Sequence, residues 1–211
     1  MNQIFTSSER VFYCYTYALF ALPLIVFYTF YIPAFQVPDE SSHFARAYQV
    51  AQGAFFPTKQ ESGASPGGYI VGGPTDPGIY LAAEKLTYMQ FRADIKLAPE
   101  KAAAANEYRW QEAKMRDTRS VSVNAPTFYF VPAVGVMLGQ SLDWSIVETL
   151  TLTRLISGLF AVFLTCIAIL MLRRGFGVFF VVLLMPMTIA QMASSSQDGI
   201  CFAVAALCVS M

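Results

Sequence analysis

The chain has 211 residues, of which 55% are apolar and 13% are charged, and its mean hydropathy is +0.48. Soluble globular domains average about 45–50% apolar and about 25% charged residues, so this composition excludes that class and indicates a membrane protein. The formal net charge is zero, and the sequence has no basic patch of the kind that binds nucleic acid.

The first apolar segment, residues 11–32, carries no charged side chain. At about 1.5 Å per residue it is long enough to cross a hydrocarbon core of about 30 Å, and Pro23 is tolerated because neighbouring helices can satisfy the freed carbonyl. We therefore predict transmembrane helix 1 at residues 11–32, after a cytoplasmic N-terminus at residues 1–10. A cleaved signal peptide is the alternative, but no small-residue cleavage site follows the segment.

Further apolar segments occupy the last third of the chain. They predict transmembrane helix 2 at residues 150–172, a cytoplasmic turn at residues 173–175, transmembrane helix 3 at residues 176–193 and the start of transmembrane helix 4 at residues 199–211. On helix 2 we expect the small residues Ser157, Gly158 and Ala161 at the contacts with other helices, because lipid provides no hydrophobic drive between them.

The orientation follows from the short basic turn that contains Arg173 and Arg174. The positive-inside rule keeps such a turn in the cytoplasm, whereas long domains are translocated whatever their charge. This predicts that residues 33–123 form a long extracytoplasmic loop with juxtamembrane helices, and that Asp198 also faces outward.

The predicted outer loop has three recognisable parts. Residues 63–78 are rich in glycine and proline, which predicts a mobile loop. Residues 99–116 begin with proline and glutamate and end with basic residues, which predicts a surface helix. Residues 124–140 are apolar but short and interrupted by prolines, so we predict a juxtamembrane or re-entrant helix there. The aromatic residues 128–130 are expected at the level of the lipid headgroups.

The stretch PDESSHFARAYQ, residues 38–49, joins the first span to this loop. It predicts a helix that begins at Asp39, whose side chain is expected to accept a hydrogen bond from a first-turn N–H. His43 and Arg46 follow at intervals of four and three residues, so all three lie on one helix face. Phe44 and Tyr48 form an adjacent apolar stripe, which is suited to the bilayer surface.

Two interpretations of Asp39 remain open at this stage. Aspartate is common at helix N-termini for capping alone, and His43 can simply pair with it. Against that, a second isolated acid, Asp198, lies at the predicted outer end of a later helix. Carboxylates at one membrane face favour a functional site, although solvated helix ends also carry them.

Four strings of the sequence resemble a known family in their content and order. They are VPDESSHFARAYQVAQG, NAPTFYFVPAVGVMLGQ, TRLISGLFAVFLTCIAILMLRR and SSSQDGICFAVAALC. Together they resemble the bacterial membrane-protein family called domain of unknown function 2142 and, more loosely, the N-terminal module of GT-C-type glycosyltransferases. The resemblance covers most of the chain except residues 55–122.

The resemblance implies an all-α, polytopic helical protein of the bacterial inner membrane, embedded in the lipid bilayer. It also implies transfer of a sugar from a polyprenyl-phosphate donor to a cell-envelope glycan or lipid acceptor at the extracytoplasmic face. Some relatives carry a lysine where this chain has Asn124, so the phosphate needs another cation.

The implied site residues fall into three groups. The catalytic candidates are Asp39 as general base, Glu40 and Asp198; the substrate-binding candidates are His43, Arg46, Asn124 and Arg119; and Asp39 and Asp198 are the candidates for a divalent cation, Mg or Mn.

Relatives contain many more helices, and the fourth apolar segment is too short to span the membrane. We therefore expect the 211 residues to be an N-terminal portion that is inactive alone. The alternatives to a transferase are a non-catalytic membrane component for assembly or transport, and an inactive fragment.

Overall fold

The computed structural model describes residues 6–61, 68–92 and 94–211. These residues form ten α-helices, two 3-10 turns and one small sheet, so the predicted helical fold is confirmed. The helices are α1 (Ser7–Tyr31), α2 (Glu40–Ala51), α3 (Pro77–Glu84), α4 (Pro99–Asn106), α5 (Arg119–Ser122), α6 (Phe130–Ser141), α7 (Ile146–Met171), α8 (Phe176–Leu183), α9 (Pro186–Met192) and α10 (Gln197–Ser210). The strands are β1 (Thr58–Glu61), β2 (Tyr69–Thr75) and β3 (Lys114–Asp117), and the 3-10 turns are Thr87–Met89 and Pro126–Tyr129.

The chain divides into two compact units. The span unit comprises Met1–Ile32 and Arg154–Met211, and the central unit comprises Pro33–Thr153. Helix α7 begins in the central unit and continues into the span unit.

Two helices of the described chain, α1 and α7, are long and apolar enough to cross a membrane. Helix α1 begins with a capping box in which Thr6 and Glu9 satisfy each other's backbone N–H groups, and it continues through Pro23 without a break. In the span unit, Gly158 of α7 lies against Ile25 of α1, where an added Cβ would come within 2.6 Å of the isoleucine side chain. The prediction of small residues at the contacts of this span is confirmed, since Ser157 and Ala161 are also buried.

The segment predicted as a third span contains two short helices, α8 and α9, separated at Leu184 and Met185. Pro186 occupies the first turn of α9, where its missing N–H is not needed. Helices α9 and α10 then meet at an angle of 113° across the serines 194–196. If this bent pair counts as one span, the described residues contain three.

The central unit contains a three-stranded antiparallel sheet in the order β1-β2-β3. Strand β2 pairs with β3 from Gly72 opposite Asp117 to Thr75 opposite Lys114. Gly72 allows the close approach, because a Cβ there would overlap the carbonyl oxygen of Arg116. Strand pairing with distant residues overrides the local glycine, proline and helix signals.

Two sequence predictions are therefore wrong in this sheet. The helix predicted for residues 99–116 ends at Asn106, and its last residues belong to β3. The loop predicted for residues 63–78 contains strand β2 and the start of α3. Residues 62–67, which include most of the glycine-rich part of that loop, lie outside the described residues.

Helix α6 packs against the first turns of α7 through two glycines one turn apart. A Cβ at Gly135 would come within 2.6 Å of the Thr153 hydroxyl, and one at Gly139 would overlap Thr149. Small residues spaced four apart let helix backbones approach closely, as they do in membrane helix pairs. The opposite side of α6 exposes apolar residues, including Phe130, which fits a helix in contact with lipid.

Candidate functional site

Helix α2 is buried along almost its entire length, although its mean character is polar. Four of its polar residues recur at intervals of three and are all buried: Glu40, His43, Arg46 and Gln49. Buried polar groups need partners, because each one left unpaired costs about 1–3 kcal/mol. The hydrogen-bond partners of these four residues therefore show what role each residue has in the motif PDESSHFARAYQ.

The loop before α2 holds two non-glycine residues in the left-handed region, Phe35 (φ 61°) and Asp39 (φ 55°). Such a conformation costs about 1–2 kcal/mol per residue and persists where surrounding contacts enforce it. Here the Glu40 carboxylate accepts a hydrogen bond from the Phe35 N–H at 2.9 Å. The side-chain amides of Gln36 and Gln90 donate to the carbonyls of Leu86 and Phe35, respectively.

Asp39 is the residue before the first turn of α2, but its side chain makes no capping hydrogen bond. The prediction that it caps the helix is wrong, because Asp39 has a left-handed backbone instead of the extended conformation that capping residues adopt. Its backbone carbonyl instead accepts from the N–H groups of Ser42 and His43. The result is an exposed carboxylate on a loop whose shape is held by buried neighbours.

The apolar side of α2 does not face a bilayer. Phe44 and Tyr48 are buried in the hydrophobic core of the central unit, so their predicted position on the membrane surface is wrong. Tyr48 stacks on Trp110 with ring centroids 5.7 Å apart, and Phe44 packs against both Phe35 and Trp110. Phe35 belongs both to this core and to the strained loop, so the core supports the loop.

His43 and Asn124, two predicted binding residues, meet at the same tyrosine. The His43 Nδ1 atom lies 2.7 Å from the Tyr129 hydroxyl, and the Asn124 side-chain amide donates to that hydroxyl at 3.2 Å. Tyr129 is fully buried, so its predicted location among lipid headgroups is wrong. Its sequence neighbours Phe128 and Phe130 gave no local signal that this ring points inward.

Arg46 is buried and directs its guanidinium to the chain that follows α2. It donates to the carbonyls of Ala54 at 3.1 Å and Phe55 at 2.6 Å, and to the Gln49 side chain at 3.3 Å. Burial lowers the pKa of this guanidinium. Gln49 in turn donates to the hydroxyls of Thr75 and Thr118, which ties α2 to the sheet.

Arg119, the other predicted partner for a phosphate, is exposed at the start of α5. It forms an ion pair with Asp117 at 2.6 Å and also donates to the Tyr69 carbonyl. The hydrogen bonds with Asp117 raise the pKa of Arg119 and lower that of Asp117. The Arg119 charge is therefore accessible to solvent, but it is already paired with the Asp117 carboxylate.

Asp76 is a fully buried acid that the sequence reasoning did not single out. Its carboxylate accepts hydrogen bonds from the N–H groups of Gly78, at the start of α3, and Gln111. Burial raises the pKa of Asp76, while these two hydrogen bonds oppose the shift. The pattern Thr-Asp-Pro-Gly, with a proline in the first helical turn, is the signal of this helix start.

Asp198 lies in the first turn of α10 in the span unit and is partly buried. Its N–H donates to the Ser196 hydroxyl, which caps the helix. Asp39 belongs to the central unit. The described residues contain no group of three or more His, Cys, Asp or Glu side chains arranged for a metal ion. A divalent cation held by Asp39 and Asp198 stays a prediction from the sequence.

A family model described as a predicted membrane protein (DUF2142) matches residues 22–211. No curated protein and no solved structure matches the chain. The matched region includes the C-terminal part of α1 and all of α2 and α10, so both Asp39 and Asp198 fall within it.

Proposed function

The chain belongs to the DUF2142 family of predicted membrane proteins, and from that premise we propose that it provides part of a GT-C-type glycosyltransferase. The reaction moves a sugar from a polyprenyl-phosphate donor to a cell-envelope acceptor at the extracytoplasmic face. The observation that supports it best is the exposed Asp39 carboxylate, held on a left-handed turn eight residues after the end of a candidate span.

In this proposal Asp39 is the general base. An acceptor hydroxyl attacks the anomeric carbon of the sugar, its proton passes to an oxygen of Asp39, and a new C–O bond forms. The bond from the anomeric carbon to the phosphate oxygen breaks, and its electron pair leaves with the polyprenyl phosphate. A carboxylate on a turn of defined backbone conformation suits this task, because a general base must be held within hydrogen-bond reach of its proton.

The other predicted residues take supporting roles in the proposal. Glu40 is a positioning residue, since its buried carboxylate fixes the loop through the Phe35 N–H. The side chains of His43 and Asn124 both contact the Tyr129 hydroxyl, and these contacts orient the polar side of α2. Arg119 is assigned to the donor phosphate because it is exposed, whereas Arg46 is buried and two of its nitrogens donate to backbone carbonyls.

The test compares Asp39→Asn with Asp143→Asn in the full-length native protein. Asp143 is also exposed and left-handed (φ 54°), so the control reproduces the backbone effect of the substitution without touching the site. We expect Asp39→Asn to lower transfer of labelled sugar into the cell envelope by about 10²-fold or more, at unchanged abundance in the membrane. The Asp143→Asn variant is expected to keep the normal rate.

Two outcomes would overturn the role of Asp39. One is a normal transfer rate in Asp39→Asn, and the other is an equal loss in both variants. A gene deletion with unchanged transfer would reject the enzyme as a whole. It would favour the non-catalytic membrane component, in which residues 99–116 rather than Asp39 are sensitive to substitution.

A further inference from the structure

Helix α2 ends in a turn whose shape is fixed by backbone hydrogen bonds. The Ala54 N–H donates to the Gln49 carbonyl at 2.9 Å, and the Gly53 N–H donates to the Val50 carbonyl at 3.0 Å. This pair of bonds is a Schellman motif, for which Gly53 supplies the left-handed residue (φ 79°). The chain therefore turns back after α2 in a defined conformation.

The buried guanidinium of Arg46 holds the segment that follows this turn. Two of its nitrogens donate to the carbonyls of Ala54 at 3.1 Å and Phe55 at 2.6 Å. The side chains of Phe55 and Phe56 nevertheless remain outside, with 41% and 78% of their surfaces exposed. Residues 54–57, which we call the aromatic loop, therefore expose two phenylalanine rings while a buried cation holds their backbone.

The aromatic loop extends an exposed apolar side of α6. The ring of Phe55 lies edge-on to the ring of Phe130, with centroids 6.0 Å apart. Exposed apolar residues follow Phe130 at intervals of three and four, so they lie on one side of α6. The loop and the helix together form one surface, which we call the docking face: Phe55, Phe56, Phe130, Val134, Met137 and Leu138.

The two segments that supply the docking face carry no charged side chain. Residues 47–58 and 120–142 contain no Asp, Glu, Lys or Arg. An exposed apolar surface is unfavourable in water, and a contiguous one marks a contact with another protein or with a membrane. The occupant of the docking face is therefore apolar.

The way α6 lies on α7 favours lipid as that occupant. Gly139 lies against Thr149 and Gly135 lies against Thr153, so the two helices run antiparallel. Moving along α6 from Gly139 through Gly135 to Phe130 therefore follows α7 from its first turns toward its apolar middle. Because α7 is a candidate span, the aromatic end of the docking face lies on the membrane side of α6.

The first turn of α7 marks the opposite, water side. There Glu148 forms an exposed ion pair with Arg109 at 3.7 Å, and the Ile146 N–H donates to the Tyr108 carbonyl. Charged side chains are costly in hydrocarbon, so this pair belongs in water or among the headgroups. Along the axis of α7, the charged pair and Phe130 are thus on opposite sides of the contact with α6.

We propose that the docking face inserts into the lipid surface of the membrane that α7 is suited to cross, and that Arg46 is the positioning residue of its aromatic loop. An apolar face of this kind is buried about 5–10 Å deep, at the boundary between headgroups and acyl chains. The central unit is then attached to the membrane at a second place besides α7. This attachment requires neither Asp39 nor sugar transfer.

The experiment is photocrosslinking of the full-length protein in phosphatidylcholine vesicles, with benzoylphenylalanine placed at one position at a time. Positions 56 and 134 probe the docking face. Position 111 is the control, because Gln111 is exposed and follows Arg109 on the water side. Intact mass spectrometry measures the fraction of chains that carry a lipid adduct, and we expect this fraction at positions 56 and 134 to be at least about fivefold that at position 111.

The other products would contradict the proposal. Crosslinks between two chains in place of lipid adducts at positions 56 and 134 would assign the docking face to a second copy. A lipid fraction at either position no higher than that at position 111 would show that the docking face does not insert.

The role of Arg46 is tested by comparing two positions in the same variant. Arg46→Met removes both hydrogen bonds to the aromatic loop and should lower the lipid fraction at position 56 by about threefold or more, with position 134 unchanged. Arg46→Lys keeps the charge but has one nitrogen in place of two, so a smaller loss is expected at position 56 alone. An unchanged fraction at position 56 in both variants, or equal losses at both positions, would reject the positioning role.

Discussion

Helix α2 and the turn between α9 and α10, here called the elbow, both bury polar side chains, but more of the buried polar groups on α2 have hydrogen-bond partners. On α2, Gln49 donates to two threonine hydroxyls and Glu40 accepts from a backbone N–H, so these polar groups stabilise the central unit. At the elbow, the side-chain oxygens of Gln191 and Ser195 are buried without a hydrogen-bond partner in the described chain. Paired groups hold the shape of the central unit, whereas each buried group without a partner costs about 1–3 kcal/mol.

The same difference applies to the two acids at helix starts. Asp39 is exposed on a turn that internal hydrogen bonds have fixed, and its own carboxylate takes no part in capping. Asp198 follows a serine that already caps its helix and lies at the wall of a cavity. Acids near helix N-termini therefore differ in their roles. The role of each acid depends on which neighbouring group accepts hydrogen bonds from the free N–H groups of the first turn.

The largest effect is expected from closing the space between α9 and α10. Gly199→Ala puts a Cβ against the backbone of α9 and should lower the free energy of unfolding by about 1–3 kcal/mol, the usual cost of overpacking. Gly177→Ala on α8 is the matched control, because no atom lies within 4 Å of a Cβ there. It should raise that free energy by about 0.5–1 kcal/mol.

Denaturant titration in detergent micelles, followed by circular dichroism, measures both glycine variants. Opposite signs for the two would support an elbow held by close backbone contact. A stabilising Gly199→Ala would contradict it.

The next effect concerns the paired polar row of α2. Gln49→Leu removes the hydrogen bonds to Thr75 and Thr118 while keeping a similar side-chain volume, and should destabilise by about 1–3 kcal/mol. Gln52→Leu, on the exposed end of the same helix, should change stability by no more than about 0.5 kcal/mol. The same titration tests the pair, and equal effects would show that the buried row does not hold the sheet to α2.

A smaller effect of opposite sign is expected at Asp39. Asp39→Gly relieves the left-handed strain and should stabilise the protein by up to about 1 kcal/mol, partly offset by the greater freedom of glycine in the unfolded chain. Asp143→Gly should do the same. Sugar transfer then separates them: only Asp39→Gly should lose it. Loss of stability in Asp39→Gly would mean that its side chain has a structural contact after all.

The smallest effect is a difference in pH dependence within the central unit. Burial raises the pKa of Asp76 above its usual 3.8, so the folded state keeps the proton longer than the unfolded state, and the contribution of Asp76 to stability falls as the pH rises above about 3.8. The pKa of Asp117 is lowered by Arg119, so its contribution is present above about 3.8 and is lost as the pH falls through the lowered pKa.

Unfolding midpoints measured from about pH 3 to about pH 7 test this sign difference. Relative to Asp76→Asn, the wild-type protein should lose stability as the pH rises. Relative to Asp117→Asn, it should gain stability over the same rise. Curves that run parallel for all three proteins would contradict both pKa shifts.

Local patterns in the sequence predicted much of the fold. The uncharged segment at residues 11–32 and the apolar segment at 150–172 coincide with most of α1 and α7, because hydropathy and length alone decide whether a helix can span a bilayer. The helix after Pro38 was also predicted, from a proline–acid start and helix-forming residues. The local signals did not predict the strands at residues 69–75 and 114–117, which form by pairing with other segments of the chain.

The candidate site was harder to predict than the helices. The sequence indicated Asp39, His43, Arg46 and Asn124, but it did not indicate that Tyr129 joins two of them. Tyr129 lies 86 residues from His43 along the chain, so no pattern of local spacing could link the two residues. Asp76 was missed for a related reason, since the contact that buries its carboxylate, the N–H of Gln111, lies 35 residues away.

The sequence by itself determined that this protein is a helical membrane protein, where its two candidate spans run, and that acids follow its apolar segments, because these properties are sums over neighbouring residues. Only the tertiary structure decided that Asp39 is exposed on a left-handed turn, that the polar row of α2 is internal, and that α9 and α10 meet at an angle of 113°. Those features depend on contacts between residues that are distant in the sequence. Packing decides which of these contacts form, and local preference does not.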